Sequence, residues 1–212
     1  MKFDKEMLLL YAVTDRSWVG RKTLYEQIEE ALQGGVTMVQ LREKQLQEED
    51  FIIEAVKVKE LCHRYNVPLI INDNVEVALK SGADGVHVGI EDVPVSEIRR
   101  KVFGDFIIGA TCKTVEQAIV AEKSGADYMG VGAVFPSPTK KNAIRITKEK
   151  LSEICSAVSI PTVAIGGICY DNISELIGGG MDGFAVVSAI FAADDIKLSA
   201  KQLKNKAKEV IQ

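Results

Sequence analysis

From end to end the chain alternates short apolar runs with longer stretches of helical periodicity, and few architectures accept that alternation. The apolar runs include Leu8 to Val13, Met38 to Arg42, Pro68 to Ile71 and Gly85 to Val88. Phe106 to Ala110, Tyr128 to Val131, Pro161 to Ile165 and Met181 to Val187 complete the set. Several are apolar at consecutive positions, which suits strands of a parallel sheet buried on both faces. Between them, residues recur at helical spacing, most clearly from Glu48 to Tyr65, where Phe51, Ile52, Ala55, Val58, Leu61 and Cys62 share a stripe. Thr23 and Thr114 are placed to cap helices, and Gly34-Gly35 to stop one. Asp171 is read as the cap of a further helix ending at Gly178-Gly179-Gly180, and Ala192 to Ile211 as a final amphipathic helix.

Three of the joints share a pattern. Gly82-Ala83-Asp84, Gly125-Ala126-Asp127 and Gly180-Met181-Asp182 each precede a strand. Their unequal spacing excludes a solenoid period. It fits one tight helix-to-strand turn used repeatedly, with glycine as the helix stop. Eight strand-helix units at about 25 residues each predict an α/β fold, a parallel eight-stranded (β/α)8 barrel of the TIM type, as one domain over residues 1–212. The open doubly wound sheet is the alternative; no G-x-G-x-x-G follows the first strand, which weakens it.

In such barrels chemistry sits at the C-terminal ends of the strands. Those ends carry Thr14-Asp15, then Gln40, Arg42 and Lys44, then Asn72-Asp73. They continue with Gly89 to Asp92, Thr111, a loop holding Ser137, Thr139 and Lys140, then Gly166-Gly167 and Ser188. The opposite ends read as glycine turns and prolines. Gln40, Arg42 and Lys44 alternate onto one face of an extended run, a trio that no apolar core accepts without anionic partners. An edge strand with a solvated charged face is the plainer reading of that trio. Arg42, Lys44 and Lys140, with Ser137 and Thr139, suit a phosphate-rich anion. Asp73 and Asp92 could hold Mg²⁺, or each could cap a helix. Gly166-Gly167 and Val187-Ser188 suit the second phosphate site of these barrels, although a turn also calls for glycine. His87 is expected as a hydrogen-bonded interior residue, His63 as an ordinary helix-face residue, and Trp18 and the tyrosines as packing or lid residues.

Composition narrows the function classes. The net charge is −4, from 26 Lys plus Arg against 30 Asp plus Glu, so there is no bulk basic signal for nucleic acid or membrane. Cys62, Cys112, Cys155 and Cys169 form no C-x-x-C pair and read as free thiols in a reducing, cytoplasmic setting. No apolar run approaches ~18 residues, and the N-terminal residues lack the apolar region of a signal peptide. There is no H-E-x-x-H and no Walker loop.

Taken together and in order, these motifs resemble those of the thiamine-phosphate synthase family. The residues that carry the likeness are Tyr11-Ala12-Val13-Thr14-Asp15, Gln40-Leu41-Arg42-Glu43-Lys44, Ile71-Asn72-Asp73 and Gly85-Val86-His87-Val88-Gly89 with Asp92. Further on they are Ser137-Pro138-Thr139-Lys140-Lys141, Gly166-Gly167-Ile168 and Val186-Val187-Ser188-Ala189-Ile190. The resemblance implies a barrel transferase that joins hydroxymethylpyrimidine diphosphate to a hydroxyethylthiazole phosphate, by dissociative departure of pyrophosphate assisted by Mg²⁺. It implies Gln40, Leu41, Arg42, Glu43, Lys44, Asn72, Thr111 and Lys140 for the pyrimidine diphosphate, with Arg42, Lys44 and Lys140 as the catalytic cations. It implies Ser137, Pro138, Thr139, Gly167, Val187 and Ser188 for the thiazole phosphate, and Asp73 and Asp92 for Mg²⁺. The implied partners are small phosphorylated substrates, with no nucleic acid or membrane and with a homo-oligomer open. The chain departs from the commonest family pattern at Ser137 for threonine, Thr111 for serine, Ile90 for glutamine and Cys112-Lys113 for alanine-histidine. A thiazole tautomerase, with a histidine near the position of Lys113, and a non-catalytic phosphate-binding barrel are the rival readings.

Overall fold

The computed structural model describes residues 2–20, 22–137 and 144–211. Within them, strands β1 (Leu10–Val13), β2 (Met38–Leu41), β3 (Leu69–Asn72), β4 (Gly85–Val88), β5 (Ile107–Cys112), β6 (Tyr128–Gly132), β7 (Thr162–Ile165) and β8 (Gly183–Val186) pair in chain order. All the pairs are parallel, and β8 closes on β1 through Tyr11 opposite Ala185. The open-sheet alternative is thereby excluded. The connecting helices are α1 (Leu24–Gln33), α2 (Glu48–Arg64), α3 (Val75–Ser81), α4 (Val95–Lys101), α5 (Val115–Lys123) and α6 (Lys148–Ser156). After β8 come a single short turn, α7 (Ser188–Phe191), and the long α8 (Ile196–Ile211).

Strand alternation divides the core in two. Leu10, Ala12, Val39, Leu41, Ile71, Val86 and Val131 face outward and pack under the helices. Tyr11, Val13, Met38, Ile70, Ile107, Tyr128, Val163 and Ala185 face inward and fill the barrel. A 3-10 turn at Lys5–Leu8 puts Leu8 into that inner set, closing the bottom. Gly183 is the residue that admits it, because a Cβ there would overlap the Leu8 backbone.

The Gly-x-Asp joints do more than turn. Asp84 Oδ2 accepts the Leu69 N–H at 2.9 Å, Asp127 Oδ2 the Ile108 N–H at 2.7 Å, and Asp182 Oδ2 the Thr162 N–H at 2.9 Å. In each case the aspartate's own N–H donates to the carbonyl of the same residue. Thr37 does the same for Leu10, through Oγ1 at 2.9 Å. A short polar side chain before each even-numbered strand therefore closes the start of the strand before it, where a backbone donor would otherwise have no acceptor. Side chains back the carboxylates: the Arg99 guanidinium lies 2.6 Å from Asp127 and His63 Nε2 2.8 Å from Asp84. The bottom of the barrel is thus more than glycine turns and prolines, and His63 has a structural partner.

Three local expectations are corrected. The stretch after β7 is a single 3-10 turn, Ile173–Leu176, and Asp171 does not cap it. The side chain of Asn172 is spent on the preceding loop instead, accepting from the Cys169 N–H and donating to the Gly167 carbonyl, both at 2.9 Å. The final helix begins at Ile196, not Ala192, because residues 188–191 form their own turn. β2 ends at Leu41, so Arg42 and Lys44 lie beyond the strand.

Candidate active site

A hydrogen-bonded chain crosses the barrel below its upper rim. Gln40 Nε2 donates to the Tyr11 hydroxyl at 2.7 Å, which is 2.8 Å from the Tyr128 hydroxyl. Tyr128 reaches His87 Nδ1 at 3.1 Å, and His87 Nε2 lies 3.0 Å from Thr111 Oγ1. Burial pushes the His87 pKa down to about 4, against a smaller opposing effect of Asp92, so the imidazole is neutral. Burial also drives the Tyr11 and Tyr128 hydroxyls up, and both stay protonated. One direction gives every proton an acceptor: Gln40 to Tyr11, Tyr11 to Tyr128, Tyr128 to His87 Nδ1, and His87 Nε2–H to Thr111. Thr111 then has its own hydroxyl proton left to donate into the space above. These tyrosines are neither lid nor simple packing.

Glycines make room for that chain. A Cβ at Gly109 would overlap the Tyr128 ring and His87 Nδ1, and one at Gly130 would crowd the imidazole. Above it opens a cavity of about 200 Å³, lined by Gln40, Arg42, Asn72, Thr111 and Lys113 on one side. Ser137, Gly166, Gly167, Val187 and Ser188 line the other. Gly167 lies at φ +66°, and a Cβ there would strike the backbone of Phe135 and Pro136, so its smallness lets the Ser137 loop close onto β7. α7 begins at Ser188 on the cavity wall; the first amides of a helix are natural anion ligands.

Every described cation of the expected trio is paired. Arg42 donates to Asp15 Oδ2 at 2.6 Å, and Lys44 to Asp73 Oδ2 at 2.6 Å. Burial alone would raise the Asp15 carboxyl; the Ser17 hydrogen bonds and the Arg42 guanidinium outweigh it and hold the pKa below the usual range. Lys44 and Asp73 line a neighbouring groove, joined to the cavity at Asn72, which lines both. Asp73 is not a helix cap. Asn74 takes that role, accepting the Val77 N–H at 2.9 Å, and Asp73 sits at φ +61° with its carboxylate turned to Lys44 and to the Asn72 amide. Asp92 follows β4, with Oδ2 accepting the Gly89 N–H at 2.6 Å, and caps no helix.

Two residues of the Gln40–Lys44 run do not offer their side chains to the cavity. Leu41 faces outward in the helix-side core. Glu43 is buried against Arg16 at 2.7 Å, and Arg16 also grips Glu54 at 2.6 Å. Burial raises the Glu43 carboxyl, aided by the nearby Glu54 and opposed by Arg16. Alternation put Leu41 on the far face in any case; Glu43 could not be placed by alternation once the strand had ended. Pro138, Thr139 and Lys140 lie outside the described residues. Tyr11, Lys113 and Ala185 line the cavity without having been expected there. Strand alternation, counted back from Val13 and Val187, would have pointed to Tyr11 and Ala185.

The donor chemistry, though not a gathered cluster, suits a hard divalent cation: among the described residues no three His, Cys, Asp or Glu side chains meet at one point, and Asp92 lines neither the cavity nor the groove. Asp73 and Asp92 follow adjacent strands and offer carboxylate oxygens, the donor type that Mg²⁺ takes. The Lys44 ammonium against Asp73 already marks a position for positive charge. Next to it, Asn72 Oδ1 is buried with no hydrogen-bond partner, an acceptor suited to a metal-bound water or a ligand donor.

A closed (β/α)8 barrel with a largely apolar-walled cavity at the C-terminal ends of its strands, Arg42 and Lys113 among its lining, is the arrangement in which enzymes of this architecture hold a small-molecule substrate. Comparison with known proteins makes it specific: the chain belongs to the thiamine monophosphate synthase family, whose model matches residues 10–190. It is 50% identical over 194 residues to the thiamine-phosphate synthase of Ruminiclostridium cellulolyticum, covering 92% of each chain. It is 47% identical to that of Clostridium beijerinckii, over 92% of this chain and 94% of the other. Thiamine phosphate pyrophosphorylase from Pyrococcus furiosus superposes with a TM-score of 0.90 at 38% identity, over 98% of this chain and 99% of that one. The protein is accordingly an enzyme and a transferase, and these relatives do not favour the isomerase or the non-catalytic barrel.

Proposed function

We propose that this chain joins hydroxymethylpyrimidine diphosphate to hydroxyethylthiazole phosphate, releasing pyrophosphate and forming thiamine phosphate in the cytoplasm. The observation that carries the reading is the cavity itself: a neutral hydrogen-bonded floor beneath a rim that holds Arg42, Asn72, Thr111, Ser137, Gly167 and Ser188 together. Gln40, Arg42, Asn72 and Thr111, with Lys44 and Lys140, hold the pyrimidine diphosphate. Ser137, Pro138, Thr139, Gly167, Val187 and Ser188 hold the thiazole phosphate. Leu41 contributes through its backbone, and Glu43 by bracing the loop through Arg16.

Asp73 and Asp92 would hold Mg²⁺, which supplies positive charge to the departing pyrophosphate. The side chains of this chain do the rest. As the bond to the pyrimidine methylene breaks, negative charge grows on the leaving group. Arg42 and Lys44 exchange Asp15 and Asp73 for that charge, and Thr111 donates its hydroxyl proton to a phosphoryl oxygen. The electron-rich aminopyrimidine stabilises the cation left behind, and the thiazole nitrogen attacks it from its own subsite. No protein nucleophile is required. Cys112, at the end of β5, is buried outside the cavity and pushed up to about 12 by that burial.

Incubation with both substrates and Mg²⁺ tests the reading. Release of pyrophosphate with formation of thiamine phosphate supports it. Binding without release, or thiazole isomerisation alone, refutes it. Asp92→Asn is expected to raise the Mg²⁺ concentration for half-maximal rate by about tenfold, the usual scale for a lost metal partner; an unchanged titration would reject the metal role.

A further inference from the structure

Among the described residues, charge accounting at the cavity leaves one cation over. Arg42 is neutralised by Asp15 and Lys44 by Asp73, and His87 is uncharged. Lys113 lines the same cavity, half-buried, and among the described residues no carboxylate pairs with it. Its backbone is fixed. The Lys113 N–H donates to Gln117 Oε1 at 2.8 Å, and Thr114 accepts the Gln117 N–H at 3.2 Å to cap α5. The side chain therefore starts from a rigid point just beyond β5, between Thr111 on one wall and Ser137 on the other. An ammonium kept part-way out of water without a counter-ion is stabilised by an incoming anion, and no internal ion pair must be broken to free it. Arg42 and Lys44 each give up a carboxylate contact before they can do the same.

The geometry points to Lys113 as a further substrate-binding residue, holding phosphoryl oxygens of an incoming substrate before Arg42 and Lys44 are released. This rests on the reading above, in which the cavity accepts a diphosphate and a monophosphate, either of which could present those oxygens. The consequence is a division of labour: Lys113 acts on capture, and the paired cations act as charge develops in the leaving group.

The test compares the wild type with Lys113→Gln, Lys113→Met and Lys113→Arg, the folded state being checked by circular dichroism. Titration with inorganic pyrophosphate and with inorganic phosphate, each with Mg²⁺, is expected to show about a tenfold weaker Kd for at least one anion in both neutral variants, the scale of one charge-assisted contact. Its salt dependence is expected to be shallower. Lys113→Arg is expected to restore most of the affinity. In turnover, the KM of one substrate rises by a similar factor while kcat changes less than about threefold, as for lost capture; which KM moves tells whether the diphosphate or the monophosphate is held. In the wild type, pyrophosphate or phosphate protects Lys113 from amine acetylation, read by mass spectrometry, so the test survives if the neutral variants misfold. Unchanged anion affinities and KM values, or no protection by either anion, would overturn the inference. If the wild type makes no thiamine phosphate yet the protection is seen, the proposed function fails and the anion ligand stands.

Discussion

Between pH 6.5 and 4, acid should weaken this fold through His87, and the size of the effect follows from its surroundings. In the folded chain its imidazole is enclosed among Tyr128, Thr111 and the two glycines of β5 and β6, and burial holds its pKa near 4 against 6.5 when free. The folded value lies below the unfolded one, so between those two values the unfolded chain binds the extra proton. The contribution is fully present above pH 6.5 and is lost as pH falls from 6.5 towards 4. That gap, at ~1.36 kcal/mol per pH unit, is about 3 kcal/mol, a large share of an ordinary stability of ~5–15 kcal/mol. Urea unfolding followed by circular dichroism between pH 7.5 and 4.5 measures it, with His87→Gln as the reference. The variant loses hydrogen-bond geometry and is less stable at pH 7.5, but it cannot take up the proton. Carboxylates titrate alike in both proteins, so the difference between the two stability curves isolates His87. It should narrow by roughly 2–3 kcal/mol across the range. Parallel curves would refute both the enclosure and the neutral imidazole on which the direction of the hydrogen-bonded chain depends.

Gly109→Ala drives a methyl into Tyr128 and His87 and should cost ~1–3 kcal/mol, read as a Tm lower by several degrees; an unchanged Tm would show that the interior has slack. Arg16→Ala strands the buried Glu43 carboxylate and should destabilise by about 1–3 kcal/mol, most of it recovered by adding Glu43→Gln. Equal stability of the single and double variants in urea would count against that pairing. Asp127→Ala leaves the Ile108 N–H and Arg99 without their acceptor and should cost about 1–3 kcal/mol, with faster amide exchange at the start of β5. Protection there equal to wild type would sink the clamp.

Local chemistry was enough to read most of the elements. Thr23 and Thr114 cap their helices as expected, and the structure adds a capping box at Thr23 with Glu26. Local chemistry failed where two neighbours compete for one role. Asn74 rather than Asp73 caps α3, and Asn172 serves its own loop while Asp171 caps nothing. The candidate site was legible at Gln40, Arg42, Asn72, Thr111, Ser137, Gly167, Val187 and Ser188, because strand ends and alternation locate a barrel mouth without any contact being known. Lys44 and Asp73 were legible as residue types, but not as a pair set in the adjoining groove.

The sequence alone determined the alternation of buried runs and helices, hence the parallel barrel and the rim on which polar groups collect. Those properties depend on neighbours within a turn or a pleat. The tertiary structure alone decided which carboxylate neutralises which cation, that His87 is locked neutral, and that Lys113 has no carboxylate partner among the described residues. The partners concerned lie far apart along the chain, 27 residues for Arg42 and Asp15 and 41 for His87 and Tyr128. No local periodicity encodes such distances; only the closure of the sheet brings those atoms together.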